Sequence, residues 1–195
     1  MLPTTEPVVS PKDIPNLISI GRIALVFPVV WALVEQRFLL ALGLFTVAGI
    51  SDGLDGYLAK RYAWQSRLGG MLDPLADKLL LIGTYFSLGW LGALPWWLVG
   101  LVLLRDVIIV TGAVAYHFNV EAVQGEPILI SKANTVMQIL LGLVAVIHVG
   151  VYPLPDWGLE VLIYLVAATT VASGMGYVVI WGKRALQHGR ANPGG

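Results

Sequence analysis

Ser51-Asp52-Gly53-Leu54-Asp55-Gly56-Tyr57-Leu58-Ala59-Lys60, followed by Gly69-Gly70-Met71-Leu72-Asp73-Pro74-Leu75-Ala76-Asp77-Lys78, places four aspartates in a chain otherwise built for lipid. Of its 195 residues 57% are hydrophobic and 12% charged, and the mean hydropathy is +0.78. A water-soluble domain of this length has no room on its surface for that composition, so the sequence predicts an all-α, polytopic membrane protein. A carboxylate near the bilayer centre costs on the order of 3 kcal/mol. Four in one stretch therefore demand a compensating cation, a wet cavity or both, and the default reading of such a cluster is a functional site.

Helical spacing sharpens that reading. Asp52, Asp55, Gly56 and Ala59 recur at i, i+3, i+4 and i+7 and share one helix face, and Gly69, Asp73 and Asp77 recur every four residues and share another. Two helices can thus turn their carboxylates toward each other. Clustered oxygen ligands suit hard divalent cations such as Mg2+, Mn2+ or Ca2+, and the cluster offers no cysteine or histidine for a softer metal. Gly53, Gly56, Ala59, Gly69 and Gly70 leave space for a bulky ligand beside the carboxylates. A pair of metal ions serving phosphoryl transfer fits this arrangement.

Around the cluster the chain divides into about six apolar stretches of about 20 residues, the length a hydrocarbon core requires. They run from about Leu17 to Val34, Phe38 to Tyr62, Gly70 to Trp90, Pro95 to Asn119, Ser131 to Gly150 and Leu159 to Trp181. Lys12, Lys60, Arg61, Arg67, Lys132, Lys183, Arg184 and Arg190 fall on one side of a six-span arrangement and Arg37 alone on the other, which places both termini in the cytoplasm. The expected organisation is a lead-in over 1–16, a six-helix domain over 17–182 and a cytoplasmic tail over 183–195. The lead-in has four prolines and no long apolar run, unlike a cleavable signal. A bacterial inner membrane, with the aspartates near its cytoplasmic face, is the expected location. Twelve basic and twelve acidic residues balance, a sum that averages two faces of a bilayer; no nucleic-acid partner is expected, and the absence of cysteine removes thiol chemistry.

Taken in order, Asp52, Asp55-Gly56, Ala59-Lys60, Gly69, Asp73 and Asp77 resemble the signature of the CDP-alcohol phosphatidyltransferases. In that signature Asp-x2-Asp-Gly-x2-Ala-Arg-x8-Gly-x3-Asp-x3-Asp recurs with fixed spacing. The one departure is Lys60, which stands where the family has arginine, with Arg61 beside it; lysine keeps the charge but lacks the planar fork that binds phosphate through two bonds. The resemblance covers about residues 12 to 182. It implies that Asp52, Asp55, Asp73 and Asp77 hold two ions, Mg2+ or Mn2+, and that Asp77 is also the general base. It implies further that Gly56, Ala59, Lys60 and Gly69 lie against the nucleotide and pyrophosphate of CDP-diacylglycerol, and that the protein is a homodimer.

The Leu72–Lys78, Arg105-Asp106-Val107 and Ile130–Thr135 segments are most similar to the cardiolipin synthase branch, whose acceptor is phosphatidylglycerol. The phosphatidylglycerophosphate synthase branch, with glycerol 3-phosphate as acceptor, shares nearly the same architecture. A membrane carrier that binds a cation without chemistry is the reading from a different class. Individual residues carry plainer alternatives. Arg105 either pairs with Asp106 or meets an acceptor phosphate, and Lys132 is either an interfacial charge or an acceptor contact. The aspartates can also be read as structural ion pairs with Lys60, Arg67 or Lys78. Arg22, after Pro15-Asn16-Leu17, reads as a head-group contact or a side chain snorkelling to the interface. His117 and His148 read as packing or interfacial residues.

Overall fold

The structure is a computed structural model that describes residues 14–62, 69–119 and 129–191, with side chains over 17–54, 57, 61–62, 75–112 and 129–180. The described residues form six α-helices and no strand: α1 (Ile14–Val34), α2 (Phe38–Tyr62), α3 (Gly69–Trp90), α4 (Trp96–Asn119), α5 (Leu129–Gly150) and α6 (Asp156–Ala191). These follow the six apolar stretches closely. The departure is at the end, where α6 continues past Trp181 to Ala191. Lys183-Arg184-Ala185-Leu186-Gln187 are good helix formers with no proline among them, so nothing stops the helix where the apolar run ends. α1 takes in residues 14–16 of the expected lead-in, and residues 1–13, 63–68 and 120–128 lie outside the described residues.

Among the described residues, Leu17–Val34, Leu129–Gly150 and Asp156–Ile180 are long and apolar enough to cross a membrane, and Phe38–Leu54 is a shorter apolar stretch. The side-chain distribution is that of a lipid-solvated protein. Phe27, Leu39, Phe86, Leu104, Val136 and Tyr164, one from each helix, are exposed, whereas Arg22, Arg105, Asn134 and Gln138 are buried. In water this pattern is the wrong way round; in hydrocarbon it is the expected one, because polar groups there must find partners inside the protein.

The chain forms two compact units. In the first, α1 packs against both α2 and α3, joined by the last turn of α5 and its exit at Val146–Pro153. Ser19, Arg22, Val29, Ala32 and Leu33 are buried on α1, Ala41, Phe45 and Ala48 on α2, and Ala76, Leu80, Thr84 and Leu88 on α3. Small residues bring these helices close, as membrane helices require when no hydrophobic force draws them together. A Cβ at Gly83 of α3 would lie 2.8 Å from Val30 Cγ2 and 3.3 Å from Val26 Cγ1 on α1. The α1–α2 turn closes with a two-bond cap in which Gln36 N–H donates to Leu33 O (3.0 Å) and Arg37 N–H to Ala32 O (2.7 Å). Gln36 takes the left-handed conformation, φ 56°, that this cap needs.

In the second unit α4 runs along α6, with Leu98, Val99, Val102, Leu141, Ile163 and Val166 in its core. Trp97 stacks on Tyr164, ring centroids 6.1 Å apart. Asp156 begins α6, where its charge complements the helix dipole.

The tight α1–α3 contact gives a direct test. Valine is stiff about its first side-chain torsion, so Val30 cannot swing away from a Cβ at position 83, and Gly83→Val is expected to destabilise the purified protein by about 1–3 kcal/mol. Gly43→Val, on an α2 surface with nothing within 4 Å of a new Cβ, is expected to leave the thermal midpoint in detergent unchanged. Equal midpoints for the two variants would show that α1 and α3 do not approach this closely.

Candidate functional site

In the first unit the site is built by three helices. Asp52 comes from the middle of α2 and Asp77 from the third turn of α3, where Ala76 beside it is fully buried against its neighbours. Between them sits Arg22 of α1. One guanidinium nitrogen, Nη1, donates to Asp52 Oδ1 at 2.5 Å and to Asp77 Oδ1 at 2.6 Å. The two carboxylate oxygens, from the consecutive helices α2 and α3, therefore meet at one common point. The arginine side chain is 1% exposed and the carboxylates 45% and 43%, so the cation approaches from the packed interior while the acids keep nearly half their surface open.

This corrects the expectation for Arg22, which sequence reasoning gave to a lipid head group or the interface. Arg22 is thus a partner of both Asp52 and Asp77, while the side chains of Lys60 and Arg67, read as alternative partners, fall outside the described residues. The signal was present: Arg22 is the sole charge between Leu17 and Val34, and an arginine inside an apolar helix is held there by an acid.

Of the other expected site residues, Asp55, Gly56, Ala59 and Lys60 lie on α2, and Gly69 and Asp73 on α3; their side chains fall outside the described residues. Among the described residues no three acidic or histidine side chains gather around one point. The described part of the donor set nevertheless fits a hard divalent ion. Two carboxylates from facing helices aim an oxygen each at one position, which Arg22 Nη1 also contacts, and their exposed side is open for entry.

The second unit holds its own buried cation. Arg105 of α4 donates through Nη1 to Asp106 at 2.6 Å, through Nη2 to Ser131 Oγ of α5 at 2.5 Å, and to Ser173 Oγ of α6 through Nη2 at 2.8 Å and Nε at 3.3 Å. The internal pair expected as one alternative for Arg105-Asp106 is thus present, and the hydroxyls of Ser131 and Ser173 extend it across three helices. One turn along, Asn134 Oδ1 accepts from Thr169 and Thr170, both at 2.9 Å. This polar seam was partly legible, since Ser131 and Asn134 stand three apart on α5 while Thr169, Thr170 and Ser173 share a face of α6. Lys132 is exposed. Beside Arg105, α4 and α6 enclose a groove of about 360 Å3 lined by Leu101, Leu104, Ile108, Val171, Met175 and Val179 as well as by Arg105 itself.

Comparison with known proteins places these features. Residues 12–181 match the family described as CDP-alcohol phosphatidyltransferase. The chain is 37% identical over 189 residues to "CDP-diacylglycerol--glycerol-3-phosphate 3-phosphatidyltransferase 1, chloroplastic" of Oryza sativa subsp. japonica, covering 85% of this chain and 56% of that protein. It is 34% identical over 195 residues to "Cardiolipin synthase (CMP-forming)" of Homo sapiens, covering 91% and 64%. It is 36% identical over 183 residues to "Probable cardiolipin synthase (CMP-forming)" of Drosophila melanogaster, covering 85% and 56%. The chain thus spans between 56% and 64% of the length of these relatives. With the family matched from residue 12 to residue 181, across all six helices and the whole aspartate signature, the chain belongs to the CDP-alcohol phosphatidyltransferases.

Proposed function

We propose that the protein transfers a phosphatidyl group from CDP-diacylglycerol to phosphatidylglycerol, forming cardiolipin and releasing CMP. The observation that carries this reading is the convergence of Asp52 and Asp77, in family register, on one position between α2 and α3. In the reaction the acceptor hydroxyl oxygen forms a bond to the phosphorus bearing diacylglycerol. The bond from that phosphorus to the bridging pyrophosphate oxygen breaks, CMP leaves with its electron pair, and the hydroxyl proton passes to a carboxylate oxygen of Asp77. Asp52, Asp55, Asp73 and Asp77 would hold two Mg2+ or Mn2+ ions, which when bound neutralise charge on the phosphates. Gly56, Ala59 and Gly69 leave the backbone of α2 and α3 open to the nucleotide, and Lys60 supplies a positive charge for the pyrophosphate.

Arg105 and Lys132 are the proposed acceptor contacts. The groove beside Arg105 favours an acceptor with acyl chains, because its walls are apolar. Glycerol 3-phosphate is the second reading, supported by the name of the rice relative. Six spans, cytoplasmic termini, an inner-membrane location with the aspartates toward the cytoplasm, and a homodimer complete the proposal; the distribution of lysine and arginine supports the orientation.

Purified protein supplied with CDP-diacylglycerol and phosphatidylglycerol is expected to release CMP, to stop in excess chelator and to resume on adding Mg2+ or Mn2+. Asp77→Asn keeps the size but lowers the capacity to take a proton, and turnover is expected to fall about 100-fold or more. Full activity after exhaustive chelation would sink the dimetal reading, and normal turnover of Asp77→Asn would remove it as base.

Arg105 calls for a paired comparison. Arg105→Met removes the cation paired with buried Asp106, at an expected cost of about 3–5 kcal/mol, and adding Asp106→Asn is expected to restore most of the thermal midpoint. If Arg105 also contacts the acceptor, the restored double variant will show a raised KM for phosphatidylglycerol with CDP-diacylglycerol KM unchanged. Normal kinetics for both substrates would confine Arg105 to packing.

With both acceptors present, the lipid identified by mass spectrometry is expected to be cardiolipin, formed only when phosphatidylglycerol is supplied. Accumulation of phosphatidylglycerophosphate would reassign the acceptor while leaving donor and metal chemistry in place.

A further inference from the structure

The position at which Asp52 and Asp77 meet is held by a side chain of the protein itself. Arg22 is 1% exposed and comes from a third helix, and a single nitrogen contacts both carboxylates. A divalent ion shared by these acids needs the same oxygens, at about 2.1 Å for Mg2+, and a guanidinium nitrogen within hydrogen-bonding distance of both competes with it by charge and by space. We propose that Arg22 is an internal counter-cation that holds Asp52 and Asp77 together in the metal-free protein and competes with the divalent ions for them, so that it sets their affinity.

The argument rests on the proposed role of the two aspartates as metal ligands and adds a component to it. Two carboxylates aimed at one point repel each other unless a cation stands between them. With Arg22 supplying that cation, α2 and α3 can assemble around the site before any ion arrives. The cost is paid in binding, because an incoming ion must displace or share an existing partner. The geometry suits exchange. The arginine reaches the acids from the buried side, and their exposed surface gives an ion its own approach. Arg22 is then a positioning residue, acting on the reaction through the acids.

The test measures metal binding apart from turnover. Mn2+ titration of the detergent-purified protein, followed by electron paramagnetic resonance, is compared for wild type, Arg22→Gln and Arg22→Lys, with thermal midpoints taken in chelator and in saturating Mn2+. Arg22→Gln is expected to bind Mn2+ about tenfold more tightly than wild type, within the usual range for two coupled ligands. Its midpoint should drop in chelator and return to the wild-type value in Mn2+. Arg22→Lys, which keeps the charge, should bind Mn2+ about as wild type does.

Folding of Arg22→Gln only while Mn2+ is present throughout purification would support the proposal in its strongest form. Unchanged or weaker Mn2+ binding by Arg22→Gln overturns it. So does failure of that variant to fold even in Mn2+, which would make Arg22 plain scaffolding, and so does an Arg22→Lys affinity as tight as that of Arg22→Gln. A wild-type titration with no Mn2+ binding is a separate result: it removes the aspartates as metal ligands and this inference with them.

Discussion

Charge held where water is scarce is the constraint that organises the first unit. A lone carboxylate or guanidinium in the bilayer interior is unfavourable by several kcal/mol, and the penalty is recovered only through a partner at short range. Arg22 gives Asp52 and Asp77 that partner, and in doing so ties α1 to α2 and α3 at one point. The rest of the helix contacts serve that point. Ala76 is fully buried beside Asp77, and Gly83, less than two turns along α3, lets α1 come near enough for a side chain of fixed length to reach both acids.

The second unit solves the same problem with different groups. Arg105 has a single acid, Asp106, next to it in sequence, and its remaining donors go to hydroxyls on α5 and α6. Hydroxyls bear no charge, so this cluster is neutral overall and needs no metal to balance it. In the first unit one arginine nitrogen serves two acids, and the signature adds Asp55 and Asp73 on helices that also carry Lys60, Arg61 and Lys78.

Much of the fold was legible because lipid imposes a strict pattern on sequence: uninterrupted apolar runs of helix-spanning length, bounded by charge, proline and tryptophan. The starts of α2 and α4 fall within a residue of the expected positions for that reason. The end of α6 was not legible, since an apolar run marks where hydrocarbon stops and says nothing about where a helix of good formers stops. At the site, register on one helix was readable from the spacing of Asp52 with Asp55 and of Asp73 with Asp77. What joins two helices was not. The partnership of Arg22 with acids 30 and 55 residues away depends on which face of α1 is buried, and with large apolar residues such as Phe27 and Trp31 outward and Ser19 and Arg22 inward, hydropathy alone points to the wrong face.

That inversion bears on how the acids are controlled. In a soluble enzyme water would screen Asp52 from Asp77, and small shifts between their helices would change little. Here the two oxygens are fixed by contact with one nitrogen on a third helix, so the separation of α2 from α3 at the site is set by the position of α1. Val26 and Val30, which meet Gly83, lie one and two turns beyond Arg22 on the same helix. Packing of apolar side chains along α1 and the placement of charge at its buried arginine are therefore a single mechanical element, and the geometry available to any cation between the acids follows from how α1 is seated.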